Sequence, residues 1–226
     1  MTAGDRFFVG DFNGNGRSDI FVFNGSNWAY PYLGMLASDG GELNMVHRYD
    51  HTLPNWQMTA GDQFFVADFD GDGKKDLYVF NGDNWRIAYL GMLHSNGTSL
   101  SMVKRYDGNV PGWQMRKHDQ HWVGSVNGDA REDLFVYNSA DWGTQYLGAM
   151  VSTGSGLNAS WSADWVGEWN LGSVDQFEVS NLEGAGRRNL LVHNHDWLGM
   201  IRSTPGMQLQ KIYYRYIHNY RYGRNW

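Results

Sequence analysis

The chain has 226 residues, with 24 acidic against 18 basic side chains and a net charge of −6. It has no basic block, which argues against nucleic-acid binding. It has no cysteine, which excludes a disulfide framework and thiol chemistry but leaves secretion open, because a chain of this length needs no covalent staples. No apolar run approaches the roughly 18 residues of a membrane-spanning helix.

Nearly the same segment recurs four times with a period of about 57 residues. Met1-Thr2-Ala3-Gly4-Asp5 returns as Met58-Thr59-Ala60-Gly61-Asp62. Asp11 recurs as Asp68, Ser125 and Asn181, and Trp56 as Trp113, Trp169 and Trp226. Tyr32-Leu33-Gly34-Met35 returns at Tyr89, at Tyr146, and as Trp197-Leu198-Gly199-Met200 after a shorter loop. The units are 1–57, 58–114, 115–170 and 171–226, read together as a single domain. Copies one and two are nearly identical, copy three is diverged and copy four degraded.

In the second copy, Phe64–Ala67 is a short apolar strand, broken by an Asp/Gly loop. Leu77–Phe80 resumes β-branched and aromatic character, and Asn81-Gly82-Asp83-Asn84 is turn chemistry. Ala88–Leu93 predicts a third strand and Leu100–Tyr106 a fourth. Four short strands per unit, without helical periodicity, predict an all-β propeller with one four-stranded blade per copy. The glycines inside strands are expected to mark bulges or close approaches. The tail Ile212–Trp226, rich in Tyr and Arg, is expected to form the outer strand and closure of the last blade.

The broken loop carries the strongest chemistry. Asp68, Asp70, Asp72 and Asp76 occupy positions 1, 3, 5 and 9, with Gly71 and Gly73 letting the chain wrap. Hard oxygen donors at alternate positions suit calcium, with the Lys74 carbonyl at position 7 completing the set. Position 12 is Val79, which excludes an EF-hand, since that loop needs a bidentate Glu there. Copy one offers Asp11, Asn13, Asn15, Asp19 and the Arg17 carbonyl; copy three offers Ser125, Asn127, Asp129, Asp133 and the Arg131 carbonyl. Copy four, with Asn181, Glu183, Ala185 and Asn189, is expected to have lost the metal. The alternative is that these loops are simply good turns. A structural calcium of open-loop affinity, around 10⁻⁴–10⁻³ M, belongs to a secreted or extracellular setting.

On the loop pattern D-x-[DN]-G-[DN]-G-x-x-D-[IL], at Asp11–Ile20 and Asp68–Leu77, the chain resembles the FG-GAP/VCBS repeat propellers: the integrin-α type and the fungal and bacterial propeller lectins. Copy three departs with Ser125 for the first Asp and Ala130 for the second Gly. The resemblance implies a calcium-stabilised propeller, in a family that includes lectins, adhesion receptors and accessory domains of secreted enzymes. The repetition of the acidic loops argues against an active site, which breaks symmetry, so the expectation is a binding module and not an enzyme. Family propellers commonly have seven blades, whereas four are encoded here. The expectation is a fragment or an assembling half, so that a homo-oligomer completes the ring, with a leader or further repeats upstream.

Each of the first three copies carries a tryptophan after its second strand: Trp28, Trp85 and Trp142, flanked by Asn27, Asn84 and Asp141. An aromatic platform beside amide or carboxylate groups suits the C–H faces and hydroxyls of a sugar. These residues are the candidate sites for a glycan or glycoprotein, with packing between blades as the alternative. For the junction series Trp56, Trp113, Trp169 and Trp226, packing is the favoured reading. The rival to a lectin is a protein-interaction array that binds no sugar.

Overall fold

The computed structural model describes residues 2–26, 29–82, 86–141, 143–184, 186–203 and 209–216. Among these, every regular element is a strand. The first sheet is β1 (Arg6–Gly10), β2 (Asp19–Asn24), β3 (Tyr32–Ser38) and β4 (Leu43–Asp50), followed by a ribbon of β5 (Thr52–Leu53) and β6 (Trp56–Gln57). The second is β7 (Gln63–Ala67), β8 (Asp76–Asn81), β9 (Tyr89–Ser95) and β10 (Leu100–Asp107), with the ribbon β11 (Asn109–Val110) and β12 (Trp113–Gln114). The third is β13 (Gln120–Gly124), β14 (Asp133–Asn138), β15 (Tyr146–Ser152) and β16 (Leu157–Ala163), with the ribbon β17 (Trp165–Val166) and β18 (Trp169–Asn170). The fourth is β19 (Gln176–Ser180), β20 (Asn189–His193), β21 (Trp197–Ser203) and β22 (Leu209–Tyr216). Each is an antiparallel meander in chain order, the blade unit of a β-propeller.

The chain divides into two compact units: residues 1–110, 114–117 and 152–157 in one, and 111–113, 118–151 and 158–226 in the other. In the first unit Phe21, Phe23, Leu33, Leu77, Val79 and Leu93 share a core with Trp56 and Phe64. Phe64 meets Phe8 and Phe23 at ring distances of 5.7 and 4.9 Å. In the second unit Phe135, Tyr137, Leu147, Leu190, Val192 and Ile201 surround Trp169 and Phe177. The sequences Asp76–Asn81 and Asp133–Asn138 are buried at every position, because both faces of a blade's second strand are covered. The first sheet departs from this pattern: Phe7 is 49% exposed, whereas its counterpart Phe64 is 5% exposed.

One buried constellation recurs at each blade junction. The indole Nε1 of Trp56 donates to Asp62 Oδ2 at 2.9 Å, Trp113 to Asp119 at 2.8 Å and Trp169 to Asp175 at 2.9 Å. An asparagine at or just past the end of the second strand donates to the same carboxylate: Asn81 to Asp62 at 2.5 Å, Asn138 to Asp119 at 2.7 Å and Asn194 to Asp175 at 3.1 Å. In the first blade Asp5 accepts from Asn24 and the Tyr32 hydroxyl.

The glycine of the Tyr-Leu-Gly motif answers to this tryptophan. A Cβ on Gly91, Gly148 or Gly199 would sit 3.3, 2.9 or 2.7 Å from the ring of Trp56, Trp113 or Trp169. These glycines therefore mark close approach. The bulges fall elsewhere, in the outer strands, where register shifts leave Val103, Val46 and Ile212 without a partner opposite. Replacing Gly148 with Ala is expected to destabilise the protein by about 1–3 kcal/mol, because Trp113 must move out of its pocket. Denaturant unfolding, with intrinsic fluorescence reporting the indole, measures this.

Candidate functional site

Each Asp-rich loop joins the first and second strands of its blade, and its first and last acidic positions are held by backbone N–H groups. Asp11 accepts from Gly14, Asn15 and Gly16 at 2.8, 3.1 and 2.7 Å, and Asp68 accepts from Gly71 and Gly73 at 2.7 and 3.1 Å. The glycines take positive φ, 79° at Gly71 and 88° at Gly73, which folds the loop back on the carboxylate. In copy three Ser125 Oγ does less, accepting from Gly128 at 3.1 Å. The position-9 carboxylate bridges loop and sheet. Asp19 accepts from Phe12 N at 3.0 Å and Ser38 N at 2.7 Å, and Asp133 accepts from Val126 N at 2.7 Å.

The second loop breaks this pattern. Asp76 Oδ1 accepts from Ser95 N at 2.8 Å, but its Oδ2 is buried with no hydrogen-bond partner. One oxygen each from Asp68, Asp70 and Asp72 lies within 4.8 Å of the others, and Asp70 and Asp76 cluster in the same way with His94. Burial is the main cause that pushes the Asp76 carboxyl up to about 8; the Ser95 N–H opposes it, and the charges of Asp70, Asp72 and Asp68 add to it. Burial also raises Asp68. Asp72 is pulled down, because the hydrogen bonds from Lys74 outweigh its partial burial. Concentrated carboxylates with one orphaned buried oxygen fit a divalent cation, which neutralises the charge and supplies the missing partner. In copy four Glu183 instead pairs with Arg202 at 2.8 Å and accepts from Asn189 at 2.7 Å, so an internal guanidinium supplies the positive charge.

The blade junctions carry the second type of site. In the first unit Trp56, Gln57, Tyr89 and Arg105 line a cavity of about 140 Å³. Arg105 lies over the Tyr89 ring at 4.6 Å, held by Asp107 at 2.8 Å. At the corresponding place in the second unit, Trp165, Glu168, Trp169, Asn170, Asn194 and Trp197 line a cavity of about 420 Å³. Trp165 is 55% and Trp197 39% exposed, whereas Trp169 is buried at its floor. The Glu168 carboxylate is held by Lys211 at 2.5 Å, and that hydrogen bond lowers its pKa. In the third blade Trp161, also exposed, meets Tyr146 edge-on at 5.2 Å.

Of the sequence-derived ligand residues, Trp28, Trp85 and Trp142, with Asn27 and Asn84, lie outside the described residues, as do Ala185 and Trp226. Asp141 is described: it accepts from Asn138 at 2.9 Å and from His118 N and Nδ1 at 3.0 and 2.7 Å. These bonds outweigh its burial and lower its pKa, so much of its acceptor capacity serves the turn. The residues named for the loops of copies one to three lie between the end of the first strand and the start of the second in their blades. The sequence reading missed Trp161 and Trp165, because neither belongs to the aligned tryptophan series. It also missed His94, which stands where the other copies have Ala37, Val151 and Arg202. That singular histidine inside a repeat was the available signal.

Residues 11–79 match the FG-GAP-like repeat. No curated protein matches the chain. Among solved structures, an Agrocybe aegerita lectin, described for specific recognition of non-reducing terminal N-acetylglucosamine, matches with a TM-score of 0.57 and 16% identity over 93% of this chain. This chain covers 51% of that lectin, about half its length. At this identity the likeness speaks for the fold alone. No helix among the described residues is long and apolar enough to cross a membrane.

The folded-state pKa of Asp76 lies above the ordinary value of about 3.9. The folded protein therefore keeps a proton that the unfolded chain releases. This contribution to stability is complete below the unfolded value and is lost as pH rises toward about 8. In chelator, the denaturant midpoint is expected to fall over that range, and Asp76→Asn is expected to flatten the slope.

Proposed function

We propose that this chain of FG-GAP-like propeller blades is a glycan-binding module that works by binding alone, its loops stabilised by divalent cations and its sugars held at the blade junctions. The observation that carries this reading is the junction cavity of about 420 Å³ walled by the exposed Trp165 and Trp197. An aromatic face takes the apolar C–H face of a pyranose, and Asn170 and Glu168 offer an amide and an oriented carboxylate for its hydroxyls. The cavity at Trp56, Tyr89 and Arg105 supplies a second, smaller site of the same plan. Repeated weak sites gain avidity on a surface that presents many sugar ends. The ligand named for the Agrocybe aegerita lectin makes terminal N-acetylglucosamine the first sugar to test.

The oxygen-rich loops of copies one and three fit calcium, the carboxylate-rich loop of copy two fits a divalent cation, and a calcium requirement suits a secreted or extracellular setting. The uncovered Phe7 and Val9 of the first blade, 49% and 58% exposed, suit a homo-oligomeric contact that completes a ring.

The test is a glycan array followed by titration with an N-acetylglucosamine-terminated oligosaccharide. Trp165→Ala is expected to abolish binding with stability within about 0.5 kcal/mol of the parent, as for other exposed positions. Trp169→Ala, which empties a buried site, is expected to cost about 3–5 kcal/mol. Loss of binding in Trp85→Ala with Trp165→Ala unaffected would move the site to the loop series. Solution mass by light scattering is expected to give two chains; a single chain removes the oligomer. A melting temperature that falls on chelation and returns with calcium supports the metal loops, and an unchanged one demotes them to turns.

A further inference from the structure

We propose that the second blade's loop holds a first-row transition ion, such as Zn²⁺, through His94 together with Asp70 and Asp76, and is thereby set apart from the oxygen-only loops of the other blades. The inference rests on the reading that this loop binds a divalent cation, and it specifies which kind. His94 projects from β9 into the loop of its own blade, where the first, third and fourth blades have Ala37, Val151 and Arg202. Its Nδ1 lies 3.0 Å from Asp70 Oδ2 and 3.3 Å from Asp76 Oδ1. Nevertheless, Nδ1 is buried with no aligned hydrogen bond to either oxygen. Asp76 is fully buried and its Oδ2 is also without a partner.

In the first and third blades the equivalent Oδ2 accepts a backbone N–H, from Phe12 or Val126. One nitrogen, His94 Nδ1, and one oxygen, Asp76 Oδ2, are therefore left unsatisfied on two side chains that touch in this loop. The spacing suits the ion. Ligand atoms each about 2.1 Å from a metal are about 3.0–3.4 Å apart across a coordination edge, the range of the two His94 Nδ1 contacts. An imidazole in the donor set favours zinc and its neighbours over calcium. An internal counter-cation looks different in this fold: Arg202 makes a direct bond of 2.8 Å to Glu183.

The test uses the full chain stripped of metal and titrated calorimetrically with Zn²⁺ and with Ca²⁺, with Co²⁺ absorption reporting nitrogen ligation. His94→Ala restores the residue type found in the first blade and is expected to fold. The parent is expected to bind Zn²⁺ more tightly than Ca²⁺. His94→Ala is expected to weaken Zn²⁺ by at least about tenfold, to alter the Co²⁺ spectrum and to leave Ca²⁺ within about threefold. Asp70→Asn is expected to weaken both ions. Unchanged Zn²⁺ affinity in His94→Ala overturns the proposal. So does calcium binding without zinc binding, or tighter calcium binding in His94→Ala, which would make His94 a mere counter-cation; in both cases the cation loop itself stands. Binding of neither ion removes both readings.

Discussion

A carboxylate buried beneath each blade junction organises the rest of this structure. Asp62, Asp119 and Asp175 are almost fully removed from water, which is costly for a charge unless its oxygens are satisfied. They are satisfied by an indole N–H from the preceding ribbon and an asparagine amide from the second strand of the blade. A single side chain thus ties together three separate pieces of backbone. Burial raises the pKa of Asp62, and the bonds from Asn81, Trp56 and Thr59 oppose it. The tryptophan held this way needs room above it, and the glycine of the third strand provides that room. The repeated Trp, Asp, Asn and Gly are thus four parts of one contact.

The surface cavities follow from that contact. Anchoring the indole beneath the third strand leaves its edge as the floor of a recess whose wall is the first residue of that strand, Tyr89 or Trp197. What varies between blades is the rim. Arg105 stacks over the rings in one unit, and Trp165 and Glu168 rise at the edge in the other. A constant floor with a variable rim changes the size and chemistry of the cavity without altering the blades.

The loops show how one backbone tolerates different solutions to a charge problem. With amides at positions 3 and 5, as in copy one, the carboxylates are satisfied largely by backbone N–H groups. With four aspartates, as in copy two, the loop holds more negative charge than its amides can absorb, and one oxygen is left unpaired. Copy four has replaced the excess with its own guanidinium. In that copy the carboxylate of Glu183 is thus met by a side-chain cation of the same blade.

Much of the fold was legible because repetition removes ambiguity. Four aligned copies set the period, the strands and the loop positions, and the turn chemistry of Asp, Asn and Gly fixed where the strands break. The direction of Trp197 was legible too, since its Leu-Gly-Met successors placed it at the head of a strand, where it pairs with Tyr216 as Tyr89 pairs with Asp107. By itself the sequence determined the all-β repeat, the acidic loops and the series of junction tryptophans, because each depends on spacing along the chain. Only the tertiary structure decided that Trp56, Trp113 and Trp169 are anchored by buried aspartates, that Trp165 and Trp197 share a cavity, and that His94 meets Asp70 and Asp76. Those pairings join residues on different strands, and their distances are set by sheet register and blade packing, which no local pattern of residues contains.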